Sequence, residues 1–258
     1  GSEYAMTCGV NLPQGGRTLN TIFKEELSDG LPITYLEKPY QNLKGTKAVA
    51  LNETVYDSDS RLYKVVDDYQ SSTSKSYKGN LSYGGLSVGA GIKLTNTVKS
   101  VTEDSRSFVI QNGHLIGYES VRTNTNLITE EFEEAYNNLP TELTGESFVQ
   151  FKKFFESWGT HYVVKGQFGG FFSMTTFIDE ENITRENSKK IESDVSAGFK
   201  ANTDSGSFST ENAKETITKH NENLKNISIK YFSLGGGELS DLKAFLSSCR
   251  KSPVLMVS

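Results

Sequence analysis

Trp158-Gly159-Thr160-His161-Tyr162, followed after six residues by Gly169-Gly170, constrains this chain more than any other stretch. A Phe-rich segment (Phe148, Phe151, Phe154, Phe155) runs into it, and an alternating run from Phe171 to Ile178 leaves it. Phe148, Phe151, Phe155 and Trp158 fall at helical spacing. They predict a helix from about Glu146 to Trp158 whose apolar face must pack on a sheet or another helix. Gly159 stands where a left-handed C-terminal cap is expected. His161, Val163 and Lys165 then alternate with Tyr162, Val164 and Gly166, so a strand starts at once. A glycine pair inside that strand marks a bend or a close backbone approach. The unit is a mechanical joint, and it points to a protein that moves.

The 258 residues suit one large domain or two small ones. A net charge of -5 and a pI near 5.4 leave no basic footprint, which argues against a nucleic-acid partner. Only 35% of residues are hydrophobic, with abundant Gly, Ser and Thr, and this favours sheet and loop over a helical bundle. No run approaches ~18 apolar residues, so no transmembrane helix is encoded, and membrane insertion would have to use strands or an amphipathic face. Cys8 and Cys249 lie at opposite ends of the chain. They can pair in an oxidising compartment, have partners outside this sequence, or be two free buried thiols. Glycosylation sequons at Asn52, Asn80, Asn182 and Asn226 occur at chance frequency and carry no evidence of secretion. Gly1 to Met6 resembles an expression scar, with any native signal peptide already removed.

Along the chain, residues up to about 45 (Pro13, Gly15-Gly16, Pro32, Pro39) read as irregular structure. A long strand is expected from Ala48 to Asp68 and a second from Phe108 to Val121. Thr129 caps an acidic helix start that runs to about Leu139. Two segments differ in kind. In residues 71–107, Leu86, Val88, Ala90, Ile92 and Leu94 alternate with Ser87, Gly89, Gly91, Lys93 and Thr95. In residues 179–226, Ile191, Val195, Ala197, Phe199 and Ala201 occupy one phase, with Glu192, Asp194, Ser196, Gly198 and Lys200 on the other. Behind a Ser209/Thr210 cap, Ala213, Ile217 and Leu224 return to helical spacing. A last strand, Ile227 to Leu234, closes on Gly235-Gly236-Gly237. Both alternating runs have the ~9–11 residues and two-faced polarity of a membrane-barrel strand. The same alternation describes half-buried strands of a soluble sheet.

Catalytic patterns are weak. Gly85-Leu86-Ser87-Val88-Gly89 fits the G-x-S-x-G nucleophile elbow, but the alternation after it contradicts the helix that motif needs. His114, His161 and His220 lack ligand spacing, the glycine tracts lack a GK[ST] ending, and the acidic pairs lack a calcium-loop glycine. No enzyme activity, metal or cofactor is expected. His161 reads as a structural hydrogen-bonding residue at the strand entry, beside Thr160 and Tyr162.

An aromatic residue, Gly-Thr-His, an aromatic residue, six residues and Gly-Gly is the signature of the membrane attack complex/perforin (MACPF) family, and Trp158 to Gly170 fills every specified position. The resemblance covers roughly residues 45 to 237. It implies an α+β fold like that of MACPF proteins and cholesterol-dependent cytolysins: a bent four-stranded antiparallel sheet flanked by two helical clusters. Residues 71–107 and 179–226 would be the clusters, and Gly169 and Gly170 the bend. Residues 1–45 would form an N-terminal segment, residues 46–237 the core, and residues 238–258 a truncated C-terminal helical segment. The implied function is a secreted pore-forming protein, monomeric when soluble, that oligomerises on a lipid membrane and inserts two hairpins per subunit. Leu86 to Leu94 and Ile191 to Ala201 would then face lipid. A non-lytic adhesion or developmental interaction module on the same fold is the alternative.

Overall fold

Two long paired strands dominate the computed structural model, which describes residues 2–11, 16–56, 60–65, 68–69, 82–83, 86–87 and 106–257. The N-terminal segment is more regular than its prolines and glycines suggest. A 3-10 turn at Ser2–Met6 leads into β1 (Cys8–Asn11), β2 (Gly16–Thr21), β3 (Ile33–Tyr35) and β4 (Lys38–Tyr40). Ala5 and Met6 are buried, so the last two residues of the expected scar pack in the core. The strand expected at Ala48 to Asp68 is two pieces, β5 (Thr46–Tyr56) and β6 (Leu62–Tyr63). In the first alternating segment only an antiparallel pair is described, β7 (Ser82–Tyr83) with β8 (Leu86–Ser87). Val88, Ala90, Ile92 and Leu94 lie outside the described residues.

Next come β9 (Arg106–Arg122), α1 (Glu130–Asn137), α2 (Phe148–Trp158), β10 (His161–Tyr162) and β11 (Lys165–Asp179). The Thr129 hydroxyl accepts from the Phe132 amide, satisfying one of the free N–H groups at the start of α1 as its sequence predicts. The second segment folds into α3 (Ser188–Ser205) and α4 (Thr210–His220), with Ser209 capping α4 through the Asn212 amide. Then follow β12 (Ser228–Leu234), α5 (Leu242–Lys251) and β13 (Val254–Val257). The C-terminal segment is therefore a helix and a strand, and β13 pairs with β11.

The main sheet has the antiparallel order β12-β11-β9-β5, with β13 and β6 added beside β11 and β9. Its middle is covered on both faces, which is why β9 and β11 are buried along almost their whole length. On one face Val109, Leu115, Phe172, Met174 and Ile178 pack against Ile191, Val195, Phe199, Ala213 and Ile217 of α3–α4 and against Phe245 of α5. On the other, Phe108, Ile110, Ile116, Phe171 and Phe177 meet Tyr63, Tyr69 and Met256. A third cluster joins Met6, Tyr35, Ala48, Tyr118, Val163 and Phe168, tying the N-terminal segment to the lower sheet.

Candidate functional site at the joint and the bend

The joint is held by backbone against backbone. At Gly159 α2 ends with φ 85 and ψ 171, a region open in practice only to glycine, rather than with the expected left-handed cap. β1 lies directly on it: a Cβ on Gly9 would overlap the carbonyl of Trp158, and one on Gly159 would meet the Val10 backbone at 2.6 Å. The Thr160 amide donates to the Val10 carbonyl at 2.9 Å, and Gly9 and Val10 pair with Tyr162 and His161 of β10. The exposed His161 contributes a ring nitrogen 2.9 Å from the Thr160 hydroxyl, the structural role its position suggests. Neither Gly9 nor Val10 carries a local signal for this contact.

Beneath the joint sits a buried cation. Arg122, at the end of β9, donates to the Met6 carbonyl at 2.6 Å, and its guanidinium carbon lies 3.6 Å above the Phe23 ring. Phe23 in turn stands edge-on to Tyr162, with centroids 5.2 Å apart. Burial lowers the Arg122 pKa to about 10, opposed by the electrostatic influence of Tyr162. Arg122 thus connects the N-terminal turn, the signature and the end of the central strand, a cation–π contact made strong by desolvation.

The α2 face expected to pack is partly bare. Phe148 and Phe155 are 56% and 41% exposed, and α2 has no buried residue. Its ring contacts to α1 use Trp158 of the expected stripe together with Phe154 from beside it, with centroids 5.4 and 5.9 Å from that of Phe132.

Gly169 and Gly170 lie where the sheet loses register. A Cβ on Gly169 would overlap the Leu115 carbonyl of β9, and one on Gly170 would overlap the Cys249 thiol of α5. At this level Phe168 pairs with Tyr118 but Gly169 with Ile116, leaving Gly117 as an extra residue in β9. One strand further out, Ala50 pairs with Tyr118 but Glu53 with Ile116, so Leu51 and Asn52 stand opposite the single Gly117 and β5 carries one extra residue. Asn52 takes φ 53 to achieve this. On the far side, Gln167 pairs with Val257 and Phe168 with Leu255, leaving Met256 extra in β13. The outer partner of β11 also changes here, from β12 above Gly170 to β13 below it. Bulges kink strands and raise local twist, and here they line up across the sheet as one transverse band of register shifts.

Ile191, Val195, Ala197, Phe199 and Ala201 all belong to α3. Ile191, Val195 and Phe199 are buried with Asp194, Gly198 and Asn202, while Ala197 and Ala201 are half-buried. Burial therefore follows helical spacing in this state, not alternation. Among the described residues, polar contacts between the cluster and the sheet include the Asn202 amide donating to the Tyr231 hydroxyl at 2.6 Å and the Leu62 amide donating to the Glu192 carboxylate at 2.9 Å. Cys8 and Cys249 are both free and buried, so the possible disulfide is absent: Cys8 sits beside Thr7 in the N-terminal turn, Cys249 against Gly170. Among the described residues no cluster of His, Cys, Asp or Glu is suited to hold a metal. No described helix is long and apolar enough to cross a membrane.

Comparison with known proteins gives a consistent answer. The family described as MAC/Perforin domain matches residues 36–248. The Perivitellin-2 67 kDa subunits of Pomacea canaliculata and Pomacea maculata are 30% and 33% identical over 101 residues, 38% of this chain and 17% of each relative. This chain thus aligns with a minor part of those proteins. Among solved structures, GNIP1Aa from Chromobacterium piscinae superposes with a TM-score of 0.65 at 11% identity, over 99% of this chain and 50% of that one. A MAC/Perforin-domain protein of Bacteroides thetaiotaomicron superposes with a TM-score of 0.51 at 15% identity, over 82% of this chain and 47% of that one.

Proposed function

The chain belongs to the MAC/Perforin domain family, and on that premise we propose that it is a secreted protein that assembles into rings on a target membrane and turns its two inserted segments into barrel hairpins. No bond is made or broken in this activity; the work is conformational. The observation that carries the reading is the connection between β11 and β12. These strands are antiparallel neighbours, with Phe177 opposite Ser228, and a short turn would join them. The chain instead spends residues 180–227 on two helices laid against the sheet. Drawn out as two strands at ~3.3 Å per residue, that segment would give each strand roughly 80 Å. A bilayer core of ~30 Å needs far less.

The chemistry of the segment supports the same reading. Lys200 and Asp204 face solvent, Asp194 and Asn202 are buried, and Gly198 permits α3 and α4 to pack closely, so the helices are less oily than a permanent core element. Extended, Val195, Ala197, Phe199 and Ala201 share one face, opposite Asp194, Ser196, Gly198 and Lys200. A closed barrel satisfies the backbone groups of such strands in lipid; an open sheet cannot.

The test uses single cysteines carrying an environment-sensitive fluorophore at Ala197 and Ser196, neighbours that are both half-buried in this state. On leaking liposomes the Ala197 label moves into an apolar environment and the Ser196 label stays in water, and the pair Ala201 and Lys200 behaves alike. Leakage without this alternation would refute the hairpin; no leakage across several lipid compositions would turn the reading to a non-lytic interaction module.

A further inference from the structure

A cavity of about 250 Å³ opens between α3, the end of β5 and the middle of β9. It lies on the helix-covered face of the sheet, away from the joint and the band of bulges. Its most buried polar side chain is Gln111 of β9, 3% exposed, whose Oε1 has no hydrogen-bond partner among the described residues. A buried acceptor left unmade is costly, and this one borders open space. Phe199 forms an apolar wall, stacked on Phe172 behind it, and Tyr56 faces it from β5. Burial first, and the Asp204 charge second, keep the Tyr56 phenol above its ordinary pKa, so its hydroxyl stays a donor.

The remaining lining is hydroxylic or self-neutralising. Ser196 and Thr203 place hydroxyls about two turns apart on one face of α3, the Thr203 hydroxyl donating to the Lys200 carbonyl and so left as an acceptor, and Lys200 and Asp204 close the rim as a 2.7 Å ion pair. The cavity thus offers donors and acceptors of both kinds, two aromatic surfaces and no net charge. Its volume falls just under the ~300–1,000 Å³ usual for drug-sized ligands.

We propose that this cavity binds a small, neutral, polyhydroxylated molecule of hexose size, and that the bound molecule holds α3 on the sheet. Hydroxyls of such a ligand match Gln111, Ser196 and Thr203, and its C–H face matches Phe199. Because Gln111 belongs to the strand and Ser196 and Thr203 to the helix, the ligand bridges the element that stays and the element that leaves. Only this second half rests on the reading that α3 leaves the sheet.

Saturation-transfer NMR with glucose, galactose, mannose, N-acetylglucosamine and myo-inositol, and glutamate as a charged control, tests the site. Saturable binding of a neutral member is expected, with none for glutamate. At a ligand concentration of about 100 Kd, amides of residues 188–205 should exchange about 100-fold more slowly, and those of α1 should not change. Gln111→Leu should weaken binding at least tenfold and Thr203→Val severalfold. Where Gln111→Leu fails to fold, Ser196→Ala takes its place. Binding by no member of the panel means a cavity holding water alone and overturns the proposal. So does binding undiminished in these variants, or binding without protection of α3. Immobilised glycans ending in the same sugar that compete with the free form would place the source on a chain end; failure to compete would place it in solution. No readout involves a membrane, so the site stands or falls apart from the pore.

Discussion

Gly170 on the central sheet faces the thiol of Cys249 on α5 with no room for a side chain between them. The contact fixes how α5 sits on the bend, since Cys249 is fully buried and its helix packs against β11 and β9. Gly170→Ala is expected to cost about 1–3 kcal/mol through overpacking. Cys249→Ala should restore part of that loss when combined with it, because the Sγ overlap is removed while the Cβ contact remains. Urea unfolding of the four proteins of the double-mutant cycle measures the coupling.

Gly169→Ala should behave differently. The overlap there is with the Leu115 carbonyl, a backbone atom that no truncation can remove. A loss of ~3 kcal/mol is expected, with no rescue by Cys249→Ala. Rescue would show that the two glycines act through one contact.

Burial raises the Cys249 pKa to about 12 from the ordinary 9.0. The unfolded chain therefore gives up this proton first, binding fewer protons than the folded one, and stability falls as pH rises from about 9 towards 12. Between pH 8 and 10 the loss should be ~1 kcal/mol, and Cys249→Ala should flatten that slope. Arg122, lowered to about 10, acts in the opposite sense as pH nears 10, and Tyr35, Tyr56 and Tyr231, raised by burial, act in the same sense as the thiol, so the comparison with Cys249→Ala is what isolates the thiol. Guanidinium midpoints at half-unit pH steps give the measurement.

Arg122→Ala is expected to cost ~3 kcal/mol, because it removes a buried hydrogen bond and leaves a cavity under Phe23. The damage should be local: limited proteolysis should cut within the first 24 residues before the main sheet opens. Arg122→Met, which refills the space with apolar atoms, should recover much of the stability.

Asn52 holds φ 53 in the β5 bulge. Asn52→Val should lose ~1–2 kcal/mol, the penalty of a β-branched residue in the left-handed region, and Asn52→Gly should stay within a few tenths of the parent. Thermal midpoints distinguish the two.

Local signals were the legible ones. The Thr129 and Ser209 caps, the helix stop at Gly159 and the fault at Gly169-Gly170 each depend on a few adjacent residues, and each stands where the sequence puts it. The N-terminal strands were not legible, because β1 is justified by Trp158 and Gly159 about 150 residues away. α3 was legible only in part. Residues four apart share a face in a helix and in a strand alike, so Ile191, Val195 and Phe199 fit both periods. Buried Asp194, Gly198 and Asn202 decide for the helix, and a polar residue gives no warning of burial. The exposure of Phe148 and Phe155 follows from α1 presenting Phe132 to the Trp158 end of the stripe and to Phe154 beside it, a choice written in neither helix alone.

The aligned bulges have a further consequence, best seen as path length. Between the same two rungs β11 advances from Phe168 to Gly169, β9 from Tyr118 back to Ile116, and β5 from Ala50 to Glu53, so each strand outward travels one residue further, like lanes on a running track. A sheet laid out this way cannot be straightened by rotation alone, because its outer lanes would carry surplus chain. Any unbending would have to shift β5 along β9, so the register between these strands would record it.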